Sequence, residues 1–97
     1  MSNAYNEAKR VDGKHYGWYL RQQELKDAEL EKGLRSFERL IARHEAWLTD
    51  PATKVQSFYG ERIERQQALI AGWQQDIKRH REFIDILRGI LKERKNG

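Results

Sequence analysis

The amino-acid sequence predicts an all-α protein: an antiparallel helical hairpin of two long helices, preceded by an N-terminal extension. Its 97 residues provide for one domain, and they include one proline, no cysteine, 38% hydrophobic and 35% charged residues. Apolar side chains recur at alternating steps of three and four residues, which is the spacing of one face of a helix. The absence of cysteine excludes disulfides, thiolate metal sites and a cysteine nucleophile.

One helical pattern occurs twice in the chain, thirty-six residues apart. The first copy is Leu34, Phe37, Ile41, Arg43-His44 and Trp47-Leu48, and the second is Ile70, Trp73, Ile77, Arg79-His80 and Phe83-Ile84. Two antiparallel helices related by a twofold axis would match in this way. With a connector near residues 50–60, the repeat predicts that Phe37 and Trp73 pack together at the midpoint of the hairpin.

Turn and helix-stop signals give the boundaries of the predicted elements. Proline disfavours helical geometry in the residue before it, so Thr49-Asp50-Pro51 ends the first helix. Gly33 lies inside that helix, where a small residue allows another helix to approach closely. We therefore predict an extension over 1–17 and a hairpin domain over 18–97, the latter divided into a helix at about 18–49, a connector at about 50–60 and a helix at about 61–95.

A third apolar stripe lies beside the two helix faces of the predicted hairpin. Three apolar positions per heptad are typical of helices that face a bundle, whereas a two-stranded pair needs two. An exposed stripe of this length marks an interface. We predict that it forms a homodimer interface in a four-helix bundle; the alternative is that the N-terminal segment folds across the hairpin. The interface residues are Leu40, Trp47, Leu69, Phe83 and Ile90.

Two histidines, His44 and His80, interrupt the apolar faces at equivalent positions of the repeat. Imidazole is a common metal ligand, but a carboxylate-type metal bundle needs a glutamate three residues before each histidine. Isoleucine occupies both of those positions, at Ile41 and Ile77. We therefore expect no metal, and instead a hydrogen bond from a seam histidine to Gln66, Gln67 or Glu31. Buried neutral histidines would also weaken the assembly as the pH falls through about 6.5.

The net charge of +4 is concentrated at the two ends of the chain. Residues 1–23 carry four basic and two acidic side chains, residues 24–77 carry eight and ten, and residues 78–97 carry seven and three. This distribution suits a nucleic-acid surface, or cations that interact with the negative end of a helix dipole. The candidate nucleic-acid contacts are Lys14, His15, Trp18, Arg79, Arg88, Lys92, Arg94 and Lys95.

These features together favour a protein-binding or scaffolding module that self-associates and has no catalytic activity, cofactor or metal. Nucleic-acid binding through the basic ends is the first alternative. An RNase-like toxin fragment, with Lys14 stabilising charge and His15 as general base, is the second. No apolar run is long enough to cross a bilayer and no secretory signal is evident, so we expect no membrane contact and a cytoplasmic location.

Overall fold

A computed structural model describes residues 3–97. Most of these residues are helical and none lies in a β-strand, so the all-α prediction is confirmed. No helix in this range is both long and apolar enough to span a bilayer. The structure contains α1 (Ala4–Ala8), α2 (Tyr16–Gln23), α3 (Asp27–Thr49), 3₁₀ turns at Pro51–Thr53 and Phe58–Gly60, and α4 (Ile63–Asn96).

The first long helix predicted from the sequence is two helices in the structure, α2 and α3. The prediction of a continuous helix over 18–49 is wrong because the chain bends between Gln23 and Asp27. The Arg94 guanidinium donates to the carbonyl oxygens of Gln23 and Leu25, each at 2.8 Å. Those carbonyls lie at the end of α2 and need partners once the helix stops. A residue about seventy positions away therefore stabilises the bend, and the sequence around residues 23–27 alone does not predict this contact.

Helices α3 and α4 lie side by side and run in opposite directions. Three ion pairs show this, because residues later in α3 pair with residues earlier in α4: Asp27 with Arg94, Glu38 with Arg88, and Glu45 with Arg81. A Cβ atom at Gly33 would lie 3.3 Å from Leu87 Cδ1, tighter than ordinary van der Waals contact. Gly33 thus allows the close helix approach that the sequence predicted.

The register between α3 and α4, that is, which residues of the two helices lie opposite each other, differs from the sequence prediction. The rings of His44 and His80 lie 5.6 Å apart, so these repeat-related residues are opposite one another. Trp73 instead packs against Trp47 at 5.8 Å and Phe58 at 6.2 Å between ring centroids. The prediction that Phe37 packs on Trp73 is therefore wrong. The reason is that buried Phe58 of the connector stacks on Trp73, ten residues into α4, so the first turns of α4 extend beyond the end of α3.

The N-terminal segment folds across α4. Ala4 and Ala8 of α1 are buried in one cluster with Ile86 and Ile90. The Tyr5 backbone N–H donates to the Asp85 carboxylate at 3.0 Å. A Cβ atom at Gly89 would collide with the Tyr5 ring, which shows how closely α1 approaches α4. This segment therefore covers part of the third apolar stripe within the chain itself.

Two glycine substitutions in α4 test the docking of α1. Alanine stabilises an exposed helix interior by about 1 kcal/mol over glycine, so Gly72→Ala, whose Cβ meets open space, should raise Tm. Gly89→Ala should lower stability by about 1–3 kcal/mol, because the methyl group displaces the Tyr5 ring. Thermal unfolding by circular dichroism measures both. Equal stabilisation by the two substitutions would contradict the packing of α1 on α4.

Candidate functional site

The loop before α2 joins two predicted nucleic-acid contacts to α4. Lys14 Nζ and His15 Nε2 lie 3.1 and 2.9 Å from Glu82 Oε1. The His15 backbone is left-handed, with φ 69° and ψ 15°, a conformation that costs a non-glycine residue on the order of 1–2 kcal/mol. The bond to Glu82 offsets that cost. Both side chains therefore hold the N-terminal segment against α4.

Glu82 is the electrostatic centre of this cluster. Burial by itself raises the pKa of its carboxyl group, but hydrogen bonds from His15 and Lys14 and their positive charges outweigh burial. The pKa of Glu82 consequently lies below its usual value of 4.5. At neutral pH the carboxylate is ionised and accepts from both partners.

A groove of about 380 Å³ adjoins the cluster, between the N-terminal segment and α4. Lys78 and Arg81 line it together with Lys14, His15 and Glu82. A carboxylate that orients an imidazole is a familiar part of general-base sites. Here, however, the carboxylate is shared with Lys14 and binds the Nε2 atom of the imidazole. The contacts of Glu82 with Lys14 and His15 are suited to holding the N-terminal segment against α4.

Trp18 lies in an aromatic cluster inside the molecule. Its ring centroid is 4.3 Å from that of Phe83 and 6.1 Å from that of Phe37. The His15 ring also packs on Phe83, at 4.8 Å. The four rings join α2 and its preceding loop to both long helices, so Trp18 supplies intramolecular packing.

The predicted C-terminal cations divide into engaged and free groups. Arg94 donates to two carbonyls and to Asp27, while Arg79 and Arg88 pair with Asp76 and Glu38 at 3.1 and 3.7 Å. Within the described chain, the ammonium groups of Lys92 and Lys95 make no hydrogen bond or ion pair. Together with the three N-terminal residues, six of the eight candidate nucleic-acid residues make contacts inside the protein.

The predicted dimer-interface residues fall into two groups, one covered by the chain itself and one partly exposed. Ile90 is fully buried beneath α1, and Phe83 is covered by Trp18 and His15. Leu40, Trp47 and Leu69 are half-buried. Lys54 Nζ lies 4.7 Å from the Trp47 ring centroid, which places the connector over that indole. The half of the stripe nearest the N-terminal segment is thus occupied by the chain itself.

The seam histidines have partners other than those predicted. His44 Nδ1 donates to the Leu40 carbonyl at 2.7 Å, and its Nε2 lies 3.4 Å from Asp76 Oδ2. The expected hydrogen bonds to Gln66, Gln67 and Glu31 are not formed, because the helix register places Asp76 beside His44. Gln66 donates instead to the Glu61 carbonyl. Within residues 3–97 no group of three or more potential ligands is positioned for a metal ion.

His80 is buried beside charged groups that disfavour its protonation. Burial lowers the pKa of its imidazole below the usual 6.5, and the charges of Arg79 and His44 lower it further, against an opposing effect of Asp76. Its Nδ1 atom is buried and has no hydrogen-bond partner in the described structure. Protonation of His80 therefore opposes folding.

A row of cations on the outer face of α3 is absent from the residues that sequence reasoning selected. Lys32, Arg35, Arg39 and Arg43, here called the α3 basic row, follow steps of three, four and four residues, so they share one face of the helix. All four are exposed, and their charged groups make no ion pair or hydrogen bond in the described chain. A helical-wheel plot of the charged residues would have revealed this row, whereas the net charge summed over each segment of the sequence does not.

Comparisons with protein-family models, curated protein sequences and solved structures give no match to this chain. The surfaces and clusters described above are therefore the basis for assigning a function.

Replacement of Glu82 tests the latch of the N-terminal segment. Glu82→Gln removes the charge that binds Lys14 and His15, and should lower the free energy of unfolding by about 1–3 kcal/mol in urea titrations at pH 7. Because the pKa of Glu82 is lowered in the folded state, its contribution is present above pH 4.5 and is lost as the pH falls through the lower folded value. Glu31→Gln, at an exposed glutamate of α3 that makes no ion pair in the described chain, is the matched control and should change stability little. Equal effects of the two variants would argue against the latch.

The lowered pKa of His80 predicts a pH dependence of stability. The unfolded chain binds a proton at 6.5 and the folded chain at a lower pH, so stability is complete above 6.5 and falls as the pH drops through the folded value. Thermal unfolding between pH 8 and 5 should therefore show a falling Tm, and His80→Phe should flatten that curve. A wild-type Tm that is level across this range would rule out the effect.

Proposed function

We propose that the protein is a non-catalytic helical binding module, a hairpin of α3 and α4 that self-associates at its connector end. The supporting observation is a group of exposed and half-buried apolar side chains at that end, here called the connector-end surface: Tyr59, Ile63, Leu69 and Ile70. Tyr59 is 69% exposed and Ile63 61% exposed. Leu69 and Ile70 are half-buried, and Leu69 belongs to the stripe predicted to form an interface.

The connector-end surface exists because α4 extends beyond α3. Ile63 and Ile70 continue the face of α4 that buries Trp73 and Ile77 against α3 and the connector. Trp47, two residues before the end of α3, is already level with Trp73. The first two turns of α4 therefore present the same apolar face with no long helix beside it, as helices do where a partner binds.

The charges around this surface favour a second copy of the chain as its partner. Glu61, Arg62, Glu64 and Arg65 place both signs of charge within about one helical turn. They pair within the chain, Arg65 with Glu61 at 3.0 Å and Arg62 with Glu64 at 3.5 Å, so the patch has no net charge. In a twofold dimer the same patch faces itself, and a neutral patch does so without repulsion. A partner of one uniform charge would gain no net attraction from it.

The dimer we propose is confined to the connector end. A four-helix bundle along the whole hairpin would need Phe83 and Ile90 at its interface, but α1 and α2 already pack over these residues. Displacing that segment would break the contacts of Glu82 and Asp85 as well. Pairing through the first turns of α4 leaves these contacts intact.

The structure supports the two alternative functions less well than self-association. These alternatives are nucleic-acid binding by the basic ends and catalysis by Lys14 and His15. Both of those residues bind Glu82, and Arg94 stabilises the bend between α2 and α3. Their use for an external ligand would cost contacts on which the fold depends. The self-association proposal makes no such demand.

Sedimentation equilibrium tests the proposed dimer. From about 1 to 500 µM, the wild-type mass should rise from 11.6 kDa towards twice that value. Ile63→Glu places a charge in the interface and should weaken association at least about tenfold. A wild-type chain that stays at 11.6 kDa over the whole range would refute the proposal.

Val11→Glu is the matched control. Val11 is 81% exposed and lies in the loop between α1 and α2, remote from the connector, and it receives the same change in charge. This variant should dimerise like the wild type. Equal dissociation of both variants would show that added negative charge, and not the connector-end surface, governs association.

A further inference from the structure

The α3 basic row is directly opposite the buried face of its helix. The core positions of α3 include Leu30, Ile41 and His44, and the row occupies the reverse side by helical periodicity. From Lys32 to Arg43 the row spans about 16 Å at 1.5 Å per residue. Neighbouring cations are about 4.5 to 6 Å apart along the axis, so the row is a continuous line of positive charge.

The acidic residues of α3 are separated from this row. Glu38 and Glu45 lie on the flank towards α4, where they pair with Arg88 and Arg81. Asp27 binds Arg94, and the Glu29 carboxylate accepts from the Lys26 backbone N–H. The i,i+4 pair that would join Glu31 to Arg35 is not formed, since Arg35 has no ion pair in the part of the chain that is described. The fold thus engages four of the five acidic groups of α3 elsewhere. Glu31 is the one exposed carboxylate of the helix left beside the row, where the four cations outnumber it.

Several of the side chains around the row are small. By helical periodicity, Ala28, Ser36, Ala42 and Ala46 flank the cations on the outer face. Small neighbours let an extended anionic surface approach the guanidinium groups closely. They also leave this face without large apolar or aromatic side chains.

We propose that the α3 basic row binds the phosphate backbone of a double-stranded nucleic acid without reading its sequence. Three of the four cations are arginines, whose planar guanidinium groups bind phosphate oxygens in pairs. Each strand of a duplex presents one phosphate per about 3.4 Å of axis, so the 16 Å row spans about five phosphates. This activity is independent of the proposed dimer, because it uses a different face of the molecule.

The chemistry of the row favours a duplex over other polyanions. Protein interfaces are centred on buried aromatic or aliphatic anchors, and the row offers alanine and serine. A helix that lies on a membrane inserts its apolar face, whereas the apolar face of α3 is packed against α4. Single-stranded nucleic acids are bound by stacking on aromatic side chains, which this face lacks. A duplex needs charge and close approach alone.

Fluorescence anisotropy with labelled 20-bp DNA and RNA duplexes of mixed sequence tests the proposal (a length of about two helical turns). Four phosphate contacts predict that log K falls with log salt concentration at a slope of about −3.6. The double variant Arg39→Gln/Arg43→Gln should reduce the magnitude of this slope by about 2 and weaken binding at low salt at least tenfold. Because neither arginine has an intramolecular ion pair, the circular dichroism spectrum should not change.

Lys92→Gln/Lys95→Gln is the matched control, since it removes the same charge from two exposed C-terminal lysines. Duplex affinity close to that of the wild type in this control supports the row as the binding surface. An equal loss in both variants, or a loss in the control alone, would overturn the assignment. So would no binding to either duplex at low salt, or tighter binding to a poly-glutamate peptide or a single strand than to a duplex. The DNA and RNA arms show which duplex geometry is preferred.

Discussion

The packing of Trp47 and Phe58 on Trp73 sets the register between the two long helices, and the other features of the molecule depend on that register. Because Phe58 of the connector and Trp47 both pack on Trp73, Phe37 of α3 meets His80 and Phe83 of α4 and not Trp73. The same register places His44 against His80 and leaves Ile63 beyond the end of α3. A small aromatic cluster thus determines both a buried polar contact and an exposed apolar surface.

The register also decides which charges are neutralised. Glu38 and Glu45 meet Arg88 and Arg81 across the helix pair, and Asp27 meets Arg94 at the far end. Each of these acids would otherwise be available to the cations of its own helix. Their alignment with α4 leaves the outer face of α3 predominantly positive, although residues 24–77 carry more acidic than basic side chains. Net charge over a segment is therefore a poor guide to where an anion binds, and the faces of each helix must be considered separately.

Two polar contacts over long sequence separation hold the smaller helices in place. Glu82 binds Lys14 and His15 before α2, and Arg94 binds the carbonyls that end α2. Both belong to α4, so this helix is the scaffold on which the N-terminal third of the chain folds. Several cations of the two chain ends therefore have structural roles in this protein, whereas the four cations of the α3 basic row in the middle of the sequence have none.

Helical periodicity determined by itself that the chain is all-α, where α4 lies and that Gly33 permits close packing, whereas it placed Ile63 on the buried face and omitted the fully buried Ile86. These are local properties, because the steps between apolar residues and the stop at Thr49-Asp50-Pro51 act within a few turns. Only the tertiary structure decided the bend at Arg94, the partner of His44, the covering of Ile90 by α1 and the isolation of the α3 basic row. Each depends on which residues of separate helices become neighbours. Helix register and packing determine these neighbours, and the spacing of residues within one helix carries no information about them.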